Sequence, residues 1–356
     1  MLHAIIMAGG SGTRFWPASR ALKPKQLLNL SGKESMIEAT VNRIRSLAPS
    51  ERVLIVTNRR LVDPIQDVFP QFPHANIVGE PCKRDTAPCI GLAAALVLHH
   101  DPEGIMAVMP SDHVISTDQQ FTDALAKGAA IVADDPGAIV TYGIKPSYPA
   151  ESFGYIERGA ALTTEGSFQV KSFKEKPKAD VAKQYVAAGN YFWNSGIFIW
   201  KAKTIWDALA KNEPEMFTHL GRIAGAIGKP DYSAVLDREF EAIKGKSIDF
   251  AVMEKHPNVV MMEAPFSWDD VGTWQSLQRL LPTDANGNTV VGKHIGIRTA
   301  GTIVHNQGEH LVVTMGLKDC LIVHTPDATL VANKHDEEAV REVVKILEER
   351  KWGEYL

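Results

Sequence analysis

Cysteine is scarce. The 356-residue chain has three, Cys82, Cys89 and Cys320. An odd count without metal-type spacing argues against a disulfide framework and a cysteine zinc site, and suits a reducing compartment. Long hydrophobic runs are also missing. The longest interior one, 91–98, falls far short of the roughly 20 residues that a bilayer span needs. The N-terminal MLHAIIMAGG has no basic leader, and its apolar stretch runs straight into glycines. It reads as a buried strand, not a signal peptide. No membrane association is expected, and the expected compartment is the cytoplasm. Nor does one sign of charge dominate: 38 Lys and Arg face 42 Asp and Glu, for a formal charge of −4. That disfavours a nucleic-acid coat and leaves room for a local basic site.

What is present is ordinary for a globular enzyme, with 45% apolar and 22% charged residues. The length allows about two domains. Through the first 110 or so residues, strand-like and helix-like segments alternate. The runs 4–8, 52–57 and 105–109 read as buried strands, and 36–47 and 86–98 as helices. Such alternation means βαβ units, a mostly parallel sheet and helices on both faces. Further on, 140–144, 169–173 and 196–200 read as strands, and 179–188 and 202–210 as helices. Past Pro282 short β-type runs are punctuated by Gly287, Gly292, Gly296, Gly301, Gly308 and Gly316. Their loose repetition hints at a small stacked β unit. Val340, Val343, Val344 and Leu347 then form a helical stripe within 337–352, expected to pack on that unit. The expected division is a Rossmann-like α/β domain over 1–285 and a β-rich domain with a terminal helix over 286–356.

The first strand opens into Gly9-Gly10-Ser11-Gly12-Thr13-Arg14, followed by Pro17, Arg20, Lys23, Pro24 and Lys25. No acid appears before Glu34, whereas Arg14, Arg20, Lys23, Lys25 and Lys33 precede it. Free backbone N–H groups beside cations suit an oligophosphate. Two known phosphate loops fail. The dinucleotide fingerprint needs glycine where Phe15 stands, and a Walker loop ending in Gly245-Lys246-Ser247 needs glycine where Phe240 stands. No nucleophile elbow is present either.

The pattern of Gly9, Gly10, Gly12, Arg14 and Pro17, then Lys23-Pro24-Lys25-Gln26, resembles the signature of the sugar-1-phosphate nucleotidylyltransferases. In detail it is most similar to the guanylyltransferase branch that acts on mannose 1-phosphate, and further motifs follow in the family's order. The resemblance implies a GT-A-like catalytic fold and a C-terminal unit akin to a left-handed β-helix. It also implies the reaction: GMP passes from GTP to mannose 1-phosphate, and GDP-mannose and pyrophosphate form. The sugar phosphate is already an anionic nucleophile, so alignment and charge neutralisation suffice without a general base.

Site residues follow from matching motifs. Ala8, Gly9, Gly10, Gly12 and Thr13 would cradle the nucleotide, with Arg14 and Lys25 neutralising its phosphates. The segment Glu80-Pro81-Cys82-Lys83-Arg84-Asp85-Thr86 is similar to the family's guanine-reading loop. Guanine offers N1–H and an amino group, so a carboxylate is its matched acceptor; Glu80 is the first choice and Asp85 the second, with Arg84 and Thr86 beside them. Asp85 or Thr86 also suits a helix N-cap. Asp112 ends a buried strand, and Asp270 lies in Trp268-Asp269-Asp270-Val271-Gly272-Thr273. The resemblance places a divalent cation, Mg²⁺ or another, on these two aspartates. Two carboxylates plus substrate phosphates are a normal magnesium set. Lys176 would hold the sugar phosphate, and Glu175 and Asn194 would contact the hexose. Gly143, Gly154, Tyr155 and Glu157 fall in a segment similar to the family's pocket wall. Some relatives carry a fused isomerase domain; the chain stops at Leu356, so isomerase activity is not expected. A homodimer through the β unit stays open. The rival readings are thymidylyl or uridylyl transfer to another sugar phosphate, and a non-catalytic nucleotide-sugar sensor.

Overall fold

The computed structural model describes residues 1–30 and 34–356; Lys33, one of the N-terminal cations, lies outside them. The chain gathers into two compact units, each assembled from separate stretches. The first holds Met1–Gly9, Val41–Ser111 and Ile115–Trp268, and the second Gly10–Thr40, Asp112–Val114 and Asp269–Leu356. The spatial grouping therefore differs from a linear cut near residue 285.

The first unit is built on a nine-stranded sheet. Its strands are β1 (Leu2–Ala8), β2 (Val53–Asn58), β3 (Ile77–Glu80), β4 (Ile105–Pro110), β5 (Ile139–Ile144), β6 (Tyr155–Ala161), β7 (Ser167–Lys174), β8 (Tyr191–Lys201) and β9 (Val259–Glu263). Their order is β3-β2-β1-β4-β8-β5-β9-β7-β6, and β6 also pairs with β8. The expected parallel character holds for β1 to β4. Beyond β4 the sheet is mixed. Strand β8 runs antiparallel to β4, β5 and β6, and β7 runs antiparallel to β6 and β9. The cause lies in the connections: β6 and β7 are joined by residues 162–166 alone, far too few for the dozen or more that a parallel crossover takes.

Residue alternation then assigns the helices to faces. The helices are α1 (Met36–Ile44), α2 (Val62–Val68), α3 (Thr86–His100), α4 (Asp118–Asp134), α5 (Ala179–Ala188), α6 (Ala202–Asn212), α7 (Pro214–Ala226) and α8 (Tyr232–Ala242). Helices α3, α6, α7 and α8 share one apolar core with Met106, Val108, Phe198 and Trp200. At Gly128 of α4, an added Cβ would lie 2.7 Å from Ile199 and 2.6 Å from the Tyr142 hydroxyl. Ile199 stands between Phe198 and Trp200, so α4 covers the opposite face. Helix α3 is apolar nearly all round, as its position demands. At Gly91 an added Cβ would sit 2.5 Å from Leu220 of α7, so the glycine permits the close helix crossing.

The second unit carries the C-terminal β structure: β10 (Thr289–Val291), β11 (His294–Ile297), β12 (Ile303–Asn306), β13 (Val312–Met315), β14 (Cys320–His324) and β15 (Thr329–Asn333). Strands β10, β12 and β14 stack in parallel, with Thr289 beside Ile303 and Ile303 beside Leu321, while β11 and β13 form a second parallel pair. Successive coils thus lie one above the next. Asn288 bridges two of them, donating to the Thr299 carbonyl (3.0 Å) and accepting from the Thr302 amide (2.9 Å). A 3₁₀ stretch, Lys334–Ala339, leads into a final helix, Val340–Glu349. Ile303, Leu321 and Val323 pack with Phe15, Leu28, Val271 and Trp274, so the N-terminal segment and the β structure share this unit's core.

Candidate active site

The phosphate-binding candidates meet in the second unit. Gly12 adopts φ +60°, and a Cβ there would lie 2.6 Å from the Lys25 backbone nitrogen. Only glycine lets the loop fold this tightly against Lys25. A short 3₁₀ turn, Thr13–Phe15, follows and buries Phe15. Ser11, Gly12, Thr13, Arg14, Lys25, Asp112, His113 and Asp270 line one recess of about 250 Å³. Lys25 is 6% exposed, and its Nζ donates to Asp112 Oδ2 (2.9 Å) and to the Asp270 carbonyl (2.6 Å). Burial alone would raise the Asp112 carboxyl, but Lys25 and His113 outweigh it and hold it below the ordinary range. For Asp270 burial wins over the nearby Lys25, and its carboxyl is raised. Asp269 is spent elsewhere: it pairs with Arg279 (2.6 Å) and accepts the Val271 amide (2.8 Å). Of the two neighbouring aspartates, the one that faces the recess is Asp270.

The other N-terminal cations are differently employed. Arg20 makes a two-pronged pair with Asp327 (2.9 and 3.0 Å). Lys23 lines a separate cavity with Leu30, Leu281 and His305. A cation that the sequence analysis passed over does line the recess, namely Arg341 of the final helix.

The base-reading candidates lie in the first unit. Glu80 ends β3 and is 7% exposed, and its Oε1 is sealed without a hydrogen-bond partner. Burial pushes its carboxyl up to about 7, against a hydrogen bond with Cys89. A Cβ added to Gly9 would stand 3.5 Å from Glu80 Oε2, so the glycine leaves space over that oxygen. Asp85 is exposed, has φ 67°, and caps α3 by accepting the Thr86 amide (2.8 Å). Thr86 Oγ1 accepts from the Ile248 amide (2.8 Å). Arg84 donates to the Glu241 carbonyl (2.6 Å), which ties it to protein. The Ala8 carbonyl accepts from the Thr57 hydroxyl (2.9 Å).

The sugar-phosphate candidates divide. Glu175, Lys176, Asn194 and Gly154 come together. Lys176 Nζ is 2.8 Å from Glu175 Oε1, with the lysine side chain 63% exposed. Burial opposes its charge, but Glu175, Asp249 and Asp85 prevail and raise its pKa. A Cβ on Gly154 would lie 2.5 Å from Glu175 Oε2, so glycine is required for that carboxylate to lie where it does. The other three are engaged with other parts of the protein. Tyr155 is fully buried, its hydroxyl donating to the Ala150 carbonyl (2.9 Å). Glu157 is held by Lys171 (2.7 Å) and Ser172 (2.9 Å). A Cβ on Gly143 would strike Met261 Sδ at 2.5 Å. Among the described residues, no helix is long and apolar enough to cross a membrane.

Comparison with known proteins covers nearly the whole chain. Residues 3–287 match the nucleotidyl transferase family model, and 292–347 match the mannose-phosphate isomerase/GMP-like β-helix domain. A mannose-1-phosphate guanylyltransferase of Klebsiella pneumoniae is 36% identical over 360 residues, spanning 100% of this chain and 76% of its own. One from Salmonella typhimurium is 37% identical, spanning 98% of this chain and 73% of its own. A solved structure from Thermus thermophilus, described as a mannose-1-phosphate geranyltransferase, superposes with a TM-score of 0.88. It is 32% identical and covers 98% of this chain and 99% of its own. The glycine loop, the aspartates at 112 and 270 and the stacked β coils thus occur in a chain that belongs to the nucleotidyl transferase family, as an enzyme of the mannose-1-phosphate guanylyltransferase type.

Proposed function

We propose that this chain transfers GMP from GTP to mannose 1-phosphate, forming GDP-mannose and pyrophosphate. The observation that carries the reading is the single recess lined by Arg14, Lys25, Asp112 and Asp270, in a chain whose relatives along its whole length are guanylyltransferases. A phosphate oxygen of the sugar attacks the α-phosphorus of GTP, the bond from that phosphorus to the bridging oxygen breaks, and pyrophosphate leaves. Lys176 holds the attacking phosphate, and Arg14 and Lys25 counter the charge on the triphosphate and the departing pyrophosphate. No proton need be removed from the nucleophile, so positioning and fixed charge do the work.

The recess also fits a magnesium ion. Two carboxylates among its lining residues offer hard oxygen donors, and magnesium takes its remaining ligands from phosphate and water. Asp112 and Asp270 would hold it, and it would supply neutralisation of the phosphate charge. The test is pyrophosphate release from GTP plus mannose 1-phosphate, with and without magnesium, against the other three nucleotides and other hexose 1-phosphates. GTP with mannose 1-phosphate is expected to be the preferred pair. Silence with every pair, or a preference for a thymidine or uridine nucleotide, overturns the reading.

Glu80 reads the guanine in this scheme. Its ionised form accepts from N1–H and the amino group with both oxygens, whereas the protonated acid turns one oxygen into a donor and loses the charge. Its carboxyl ionises at about 7. The preference for GTP over ATP is therefore expected to rise between about pH 6 and 8, on either side of that value. Glu80→Gln should flatten that rise and cut the preference by about tenfold or more, the worth of one hydrogen bond to a charged group. Unchanged selectivity in the variant would move the role to Asp85.

A further inference from the structure

Asn194 resembles a sugar contact, yet its amide is already committed. Its Oδ1 accepts from the Gly196 amide (3.2 Å), and the Thr141 hydroxyl lies 3.2 Å from the same oxygen while also reaching the Ile197 carbonyl (3.0 Å). The Gly196 N–H, which can only donate, fixes which way the amide faces, so Nδ2 points at Asp249 Oδ1, 3.2 Å away. Asp249 itself opens a π-helical turn, Asp249–Met253, and the Ile248 amide just before it is pinned to Thr86. Among the described residues, no ion pair is formed by Asp249, while Lys176 gives its ammonium to Glu175. Asp249 is thus a carboxylate held in place by an oriented amide, with Glu175, Asp85 and the Lys176 ammonium as its charged neighbours and no direct ion pair among the described residues. Burial and the nearby Glu175 push its carboxyl up to about 7. A desolvated acid in such a position gains from added hydrogen-bond donors, and hexose hydroxyls are donors.

We propose that Asp249 is a direct hexose contact: its carboxylate accepts a ring hydroxyl of the sugar phosphate held by Lys176, and Asn194 is the positioning residue that aims it. This assignment rests on the sugar-phosphate site proposed above and adds a member that no sequence motif pointed to.

The test uses the full chain, steady-state kinetics and calorimetric binding of mannose 1-phosphate and its monodeoxy analogues. Asp249→Ala is expected to raise the KM for mannose 1-phosphate by about tenfold or more, with the KM for GTP within about twofold. One monodeoxy analogue should already bind the unsubstituted protein weakly, and for it Asp249→Ala should cost nothing further. An equal loss for every analogue means a purely structural role and overturns the assignment, as does an unchanged KM. Asp249→Asn preserves the side-chain shape and reports on the same analogue set if the alanine variant does not fold. Retained sugar-phosphate binding without turnover sinks the proposed reaction and spares this assignment. Binding that is indifferent to Asp249→Asn and to every deoxy position sinks the assignment and spares the reaction.

Discussion

Asp112→Asn is expected to lower turnover by roughly 10²–10³-fold, the usual cost of losing one well-placed electrostatic contact. Two functions fail together in this variant. One of the two carboxylates that would hold the metal disappears, and Lys25 loses its only anionic side-chain partner among the described residues, keeping the Asp270 carbonyl. A buried ammonium without its counter-charge is costly, although the partial exposure of Asp112, at 30%, reduces that cost. The variant should therefore be less stable as well as slow, and extra magnesium should not restore its rate. The acid limb gives a second readout. The folded-state Asp112 carboxyl lies below its ordinary value, so it contributes stability above about pH 4 that fades as the pH falls through the lower folded value. Asp112→Asn should flatten that part of the melting-temperature profile. Near-normal turnover with an unaltered acid limb would remove Asp112 from the proposed machinery.

The parts of the site legible in the sequence are those that a short local pattern specifies. A strand that ends in glycines and then an arginine, and an aspartate directly after a buried strand, say what they are without reference to distant residues. The convergence of Asp112 with Asp270 came through the resemblance, and the structure brings both to one recess. Charge was harder to read. The cations before Glu34 look unopposed in sequence, yet Arg20 meets Asp327 from 307 positions away and Lys25 meets Asp112 from 87. Asp249 was invisible for the same reason, since its character comes from Asn194 and Glu175 on other elements. In the fold, the apolar strands and α3 announce themselves. The antiparallel half of the sheet does not, because strand direction depends on pairing and connection length, not on composition. Helices α2, α4, α7 and α8 contain no apolar run as long as that of α3, and short amphipathic periodicity is a weaker signal than such an unbroken apolar stretch. Tyr155 shows the converse: a polar-tipped aromatic in a motif region can be core once its hydroxyl finds a carbonyl.

Trp274→Ala is expected to cost about 3–5 kcal/mol, the range for emptying a large aromatic site in a core. The ring is fully buried, with Phe15 at 5.0 Å and His305 at 5.1 Å between ring centroids. It lies in the core where the N-terminal segment, the 271–277 stretch and strands β12 and β14 meet, and no single stretch forms that core alone. The loss should consequently be local to the second unit. Hydrogen exchange is expected to accelerate in Ile303–Asn306 and Cys320–His324, while the first unit's Leu2–Ala8 and Ile139–Ile144 stay protected. Turnover should fall too, because Phe15 supports the turn that carries Arg14 and lies 5.8 Å from the Lys25 ammonium. Trp274→Phe separates packing from polarity. The indole Nε1 is buried with no hydrogen-bond partner, so phenylalanine leaves a smaller cavity and also removes an unsatisfied donor, whose burial is itself unfavourable. It should cost less than half as much as the alanine variant and keep most of the activity. Equal losses for both variants, or exchange that quickens uniformly through both units, would mean that Trp274 does not organise the second unit around the glycine loop.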